Sequence, residues 1–164
     1  MKNRLTPGPL RRILNLWPPF LCSGIHVTEI ARDWRSARVE LRSRPWNRNY
    51  VGVHFGGSLF AMADPFWMLL TMHALGTDYI VWDQAGSIEF LKPGRGTVHA
   101  QFRLDDAVLD QLRAATVDGN KYLHWFETDI VDDVGDVVAR VRKQVYVRRK
   151  RDRARATAAP RMAA

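Results

Sequence analysis

Cysteine occurs once in these 164 residues, at Cys22, so no disulfide can form within the chain, and the composition fits a reducing cytoplasm. No uncharged apolar run reaches the roughly 18 residues that a membrane-spanning helix needs. The N-terminus carries early positive charge, but residues 13–25 are broken by Asn15 and the Pro18–Pro19 pair and lack a small-x-small cleavage site, so they do not read as a signal peptide. GxxxxGK[ST], GxGxxG after a strand, HExxH and CxxC are all missing, which removes the residues that nucleotide-loop, dinucleotide, zincin and zinc-ribbon sites require. His26, His54, His73, His99 and His124 are scattered without metal-ligand spacing, and none is expected to hold a metal. Ser58 follows Gly57 but lacks the later glycine of a nucleophile elbow, so a serine hydrolase is not expected.

Acidic residues are also scarce relative to basic ones, giving a formal charge of +8. The excess sits in two arms. Residues 1–12 carry +4 and residues 148–164 carry +6, which leaves −2 for everything between. A slightly acidic body with basic arms does not resemble a groove lined for nucleic acid. Residues 149–164, low in apolar bulk, are expected to form a solvated, disordered tail.

What the chain does have is one long apolar stretch within residues 47–75, entered through Gly56 and Gly57. Between Leu59 and Leu70 the only ionisable side chain is Asp64, and apolar residues surround the helical projection, as in a helix buried on all sides. An isolated carboxylate there is costly unless partnered or protonated. Two readings stay open. Either one helix runs over residues 58–75 with a kink at Pro65, or Asp64 is an N-cap and Pro65 the first helical residue.

In order, the pattern predicts a short amphipathic helix over residues 10–16 stopped by the proline pair, and a hairpin of residues 25–33 and 36–44. A polar linker, 45–50, leads to the buried helix, which Gly76 ends. Strands over 79–91 and 97–104 follow, then a helix over 106–115 capped by Asp105 or Asp106, and a closing hairpin of 121–131 and 137–148. In the last strand Ala139, Val141, Val145 and Val147 share one phase, and Lys143 is the single polar residue on it. The whole is one α+β domain over residues 1–148, an antiparallel sheet of about six strands wrapped around one long central helix.

The glycine pair and the acid are the chemical features left. Free N–H groups of Gly56, Gly57 and Ser58 could donate to a developing oxyanion, aided by the positive helix end. Asp64 lies seven residues after Gly57, roughly 10 Å down the axis, so one helix does not bring both groups to one carbonyl. Two such helices in a symmetric dimer could.

These residues resemble the hotdog-fold acyl-CoA thioesterases, chiefly the PaaI-like branch and a neighbouring group of uncharacterised relatives. The hallmark is an asparagine, an HGG opening the central helix and an acid seven residues after the second glycine. Here it reads Asn49, Phe55-Gly56-Gly57 and Asp64, and the IEFLKPGRG segment and strand order extend the likeness over residues 10–148. The resemblance implies Asp64 as general base or nucleophile, Gly57 with Gly56 as oxyanion donors, and Asn49 orienting carboxylate or water, with the acid supplied across a homodimer or a dimer of dimers. It departs from the pattern where Phe55 replaces the motif histidine, with His54 one position earlier, where Pro65 follows the acid, and where Asp83 stands for a water-orienting Ser or Thr. Asp83 could hold the water, raise the pKa of Asp64, or pair with a surface lysine. His54, Phe55 and Ser58 then join the substrate-binding residues, with Gly119, Asn120 and Lys121 at a turn where relatives contact the CoA nucleotide. Phe60, Phe66, Trp67, Met68 and Trp82 either line an acyl tunnel or pack the core. The implied function is cytoplasmic hydrolysis of an acyl thioester, with no cofactor beyond the CoA of the substrate. The alternative is a non-catalytic hotdog domain for acyl binding or assembly, and a third possibility is hydration or dehydration of an acyl thioester with His54 as its histidine.

Overall fold

A computed structural model describes residues 5–150; residues 1–4 and 151–164, and with them most of the expected tail, lie outside it. The elements are α1 (Pro7–Leu16), α2 (Pro18–Ser23), β1 (Ile25–Ile30), β2 (Ser36–Arg42), α3 (Gly56–Ala63), α4 (Phe66–Leu75), β3 (Tyr79–Phe90), β4 (Thr97–Arg103), α5 (Asp106–Ala115), β5 (Lys121–Asp132) and β6 (Val137–Arg149). The six strands form one antiparallel sheet in the order β1-β2-β4-β5-β6-β3. Among the described residues no helix is long and apolar enough to cross a membrane.

Three local outcomes differ from the sequence pattern. The proline pair ends α1 but also begins α2, because prolines at the first two helical positions forfeit only N–H groups that have no intrahelical partner. The buried helix starts at Gly56 and divides at Asp64 and Pro65. Both residues keep right-handed backbone angles, and Asp64 makes no N-cap bond, so the break belongs to Pro65 as a helix breaker. β6 continues through Arg149, and Lys150 donates its backbone N–H to Asp78 O at 2.7 Å.

α3 and α4 lie in the curve of the sheet. Met62, Phe66 and Leu70 are fully buried, and each such side chain contributes about 1.5–3 kcal/mol of burial free energy. Phe66 packs on Phe102 with ring centroids 4.9 Å apart. Trp67 stacks on Phe126 at 4.4 Å and donates its indole N–H to Thr128 Oγ1 at 2.7 Å. These two aromatics are therefore core residues rather than tunnel lining.

The sheet has two unlike edges. On β1, the Asn15 side chain exchanges both hydrogen bonds with the Val27 backbone, at 2.7 and 3.0 Å, and Arg11 donates to Thr28 O. α1 thus occupies the strand's outer polar groups. The β3 edge is twice as long, twelve residues against six, and has no such cover among the described residues.

Candidate functional site

At the start of α3, Phe55 holds extended angles and makes no side-chain cap bond. Its carbonyl accepts the N–H groups of Ser58 (3.0 Å) and Leu59 (3.2 Å), so Ser58 is not a free donor as expected. Among the described residues the N–H groups of Gly56 and Gly57 have no acceptor. The Phe55 ring lies close against Gly57; a Cβ there would run into Phe55 Cε1, so glycine is what permits this approach.

Beside this helix end is a cavity of about 440 Å³ lined by Asn49, His54, Gly56, Leu59, Phe90 and Lys92, among others. Asn49 directs its side chain to backbone groups of its own loop. Its Oδ1 accepts from Val51 and Val53 N–H at 3.1 Å each, and its Nδ2 reaches His54 O at 3.4 Å, so the side chain shapes its own loop. His54 is buried. Its Nε2 lies 3.0 Å from Gly96 O, and a carbonyl can only accept, so Nε2 carries the proton and Nδ1 holds the lone pair in the neutral ring. Nδ1 is buried without a partner in this structure. Burial, aided by the Arg48 charge and opposed by the Gly96 bond, lowers the His54 pKa from its ordinary value.

The other end of α3 holds side-chain charge. Asp64 is not buried: its side chain is 54% exposed, whereas Lys143 is only 5% exposed. Lys143 Nζ donates to Asp64 Oδ1 at 2.6 Å and stands 3.4 Å from Asp83 Oδ2. The expected isolated buried acid is thus a half-exposed acid paired with a buried base, and the partner of Asp83 is this interior lysine rather than a surface one. Desolvation raises the Asp83 pKa and the Asp64 charge adds to the rise, against the attraction of Lys143, which is smaller than the desolvation effect.

Strand irregularity makes the cluster possible. Asp83 pairs with Val145 and Gly86 pairs with Lys143, so Asp83 and Gly86 share a face despite being three residues apart. The register shift between Asp83 and Ala85 accounts for this: the extra residue of a bulge turns Asp83 to the inner face. At Gly86 a Cβ would meet Phe60 Cζ at 2.8 Å and Lys143 Cδ at 3.1 Å, so the missing side chain leaves room for the lysine stem. Lys143 was visible in the sequence as the polar residue out of phase; that its partners are Asp64 and Asp83 depends on contacts 79 and 60 residues away in sequence.

The remaining expected residues are dispersed. Phe60 is half-buried, with Lys143 Nζ 5.5 Å from its ring centroid. Trp82 is exposed and stacks on Tyr146 at 4.2 Å. Gly119 and Asn120 form the turn into β5, and Lys121 begins that strand. Lys121 pairs with Arg148, whereas the cavity residue Phe90 pairs with Ala139, nine residues away along β6. At about 3.3 Å per residue that is roughly 30 Å, so one chain does not bring this turn to the helix end. Among the described residues no group of three or more His, Cys, Asp and Glu side chains could hold a metal ion.

A family model described as a domain of unknown function, DUF4442, matches residues 10–147. The chain belongs to this family. Among solved structures it is similar to PA5026 of Pseudomonas aeruginosa, a protein of unknown function designated a probable thioesterase, with 20% identity, TM-score 0.77, and 87% of this chain and 96% of that one covered. It is also similar to the thioesterase HI1161 of Haemophilus influenzae, with 16% identity, TM-score 0.64 and coverage of 93% and 96%. A protein of unknown function from Chlorobaculum tepidum aligns at 16% identity and TM-score 0.69, covering 89% and 98%. No curated protein matches the sequence. The DUF4442 chain therefore has the hotdog fold, an α+β sheet curved around a central helix, as the resemblance implied.

Proposed function

We propose that this protein is a cytoplasmic acyl-CoA thioesterase working as a homodimer. The observation that carries the reading is α3 itself, which has two acceptor-less amides at its start and a lysine-held, half-exposed carboxylate at its end. The thioesterase designations of the structural neighbours support it. In the proposed reaction Asp64 removes a proton from water, and the oxygen attacks the thioester carbonyl carbon. The resulting oxyanion accepts hydrogen bonds from the Gly57 and Gly56 amides. Its collapse breaks the C–S bond, and the proton held by Asp64 passes to the departing CoA thiolate. Coenzyme A enters as part of the substrate, and the reaction as drawn needs no resident cofactor.

The two groups are roughly 10 Å apart along one helix, which is why a second copy is part of the proposal. The long uncovered β3 edge is the side of the sheet that a partner would extend, since such an edge invites strand pairing. A specific observation favours a second reading, a non-catalytic acyl-binding domain: the Phe55 ring packs against Gly57 at the helix start. Hydrolysis of a panel of acyl-CoAs separates the two. Turnover that rises for one class of acyl chain is expected; binding without turnover across the panel would favour the binding domain.

A further inference from the structure

We infer that Lys143 is a positioning residue that fixes the Asp64 carboxylate for attack, with Asp83 as its second anchor. The inference rests on the thioesterase reading above. Its starting point is a cost. Residue 143 lies on the apolar phase of β6 between Val141 and Val145, both essentially buried, and an aliphatic side chain would satisfy that phase. Burying an ammonium instead carries a desolvation penalty of several kcal/mol, and a buried ion pair is often no more stable than an apolar replacement. Stability alone is thus a poor account of this lysine.

The surroundings are arranged for the charge. Gly86, directly opposite in the β3 ladder, leaves space beside the lysine stem, and the face of Phe60 lies 5.5 Å from Nζ. The β3 bulge brings Asp83 to the inner face, where Oδ2 stands 3.4 Å from the same nitrogen. Lys143 then reaches the α3–α4 break and binds one oxygen of Asp64, Oδ1, at 2.6 Å. Oδ2 of Asp64 has no partner among the described residues, and the side chain is half exposed. The lysine therefore orients one oxygen and leaves the other for a proton in transit. Without this hold, the carboxylate at a proline-broken helix junction would sample other rotamers, and misplacement of a reacting group by about 1 Å can cost on the order of 100-fold in rate.

The test is epistasis in kcat. Lys143→Met is expected to lower kcat by about 10–100-fold with KM within about threefold. In an Asp64→Asn background the same change is expected to alter kcat by less than about twofold, because the group it positions is already gone. Lys143→Met leaves Asp83 without its counter-charge and could fail to fold, so Lys143→Met/Asp83→Asn is compared with Asp83→Asn, and the same 10–100-fold loss is expected there. A merely structural lysine would lower the melting temperature without this dependence on Asp64. Equal kcat for Asp83→Asn and Lys143→Met/Asp83→Asn in an active enzyme would overturn the inference and leave the thioesterase reading intact. A loss as large in the Asp64→Asn background would also overturn it. Wild-type protein inactive on every acyl-CoA would remove the thioesterase reading and this inference with it.

Discussion

The two ends of α3 are built in opposite ways. At its start the polar groups are backbone amides with no acceptor among the described residues, next to a cavity; at its end they are side chains already bound to one another. Unpartnered amides at a helix N-terminus are inexpensive to leave open, since they are solvated or shared with the helix field until a ligand arrives. A carboxylate that must act at a defined place needs to be held beforehand. On the proposed thioesterase reading, the chain prepares its acid and leaves its oxyanion donors waiting, and the two ends meet one substrate when a second copy supplies one of them.

Breaking the acidic end has the largest expected effect. Asp64→Asn keeps the shape and removes the base, so kcat should fall by roughly 10²–10⁴ with little change in acyl-CoA affinity, measured by steady-state hydrolysis and by titration of a non-hydrolysable analogue. Its stability consequence is the reverse of that for an isolated buried acid. The substitution leaves Lys143 buried with only Asp83 nearby, so unfolding free energy should drop by about 1–3 kcal/mol in a denaturant titration. Unchanged stability would mean that Asp64 is not the principal partner of Lys143.

Breaking the amide end comes next. Gly57→Pro, made in a Phe55→Ala background so that the new ring does not run into Phe55, deletes one N–H in the first helical turn, where proline is tolerated, and should cost about 10²–10³ in kcat relative to Phe55→Ala if that amide receives the oxyanion. Stopped assays over short and long acyl-CoAs would show whether the loss is uniform, as expected for a carbonyl contact.

Smaller effects are expected in the loop that frames the cavity. Asn49→Ala removes the acceptor of two loop N–H groups and should destabilise the protein by about 1–2 kcal/mol, read from the urea midpoint. His54 supplies a pH signature. Its folded-state pKa lies below the unfolded value, so the unfolded chain binds the extra proton first. The contribution is fully present above about pH 6.5 and is lost as the pH falls from there through the lowered folded-state value. Melting temperature should therefore decline from pH 7 to pH 5, and His54→Gln should shallow that decline by a degree or two. An identical slope in the variant would place the titration at His26 or His124, whose pKa values burial also lowers.

Much of the architecture was legible in the residues. Alternation in β2, β4 and, apart from Lys143, much of β6, turn residues between β5 and β6, and one long apolar stretch are enough to specify strands around a helix, because the alternating strands have one face to bury and the helix has none to expose. The proline pair misled because the same residue stops one helix and starts another, and local pattern does not say whether a helix follows. The site was less legible for a different reason. Asp64 looked buried because its neighbours are apolar on every side, yet at the helix break its side chain is half exposed while still reaching Lys143 of β6. Lys143 announced itself as out of phase, but its partners and the bulge that aligns Asp83 depend on pairing across the sheet, which no local window contains. The role of Asn49 in orienting carboxylate or water came from resemblance alone, and its bonds to two amides of its own loop are a feature the pattern did not announce.

Subunit mixing tests the division of labour between the two helix ends most directly. Asp64→Asn and Phe55→Ala/Gly57→Pro proteins, each nearly inactive alone, are combined one to one and exchanged, and the heterodimer fraction is verified by mass spectrometry. Random exchange makes about half of the dimers mixed, each with one intact site that takes its amide from one chain and its carboxylate from the other. The account expects recovery of about a quarter of wild-type kcat. Complete exchange with no recovery would contradict it and place the amide and the acid that act on one substrate in the same chain.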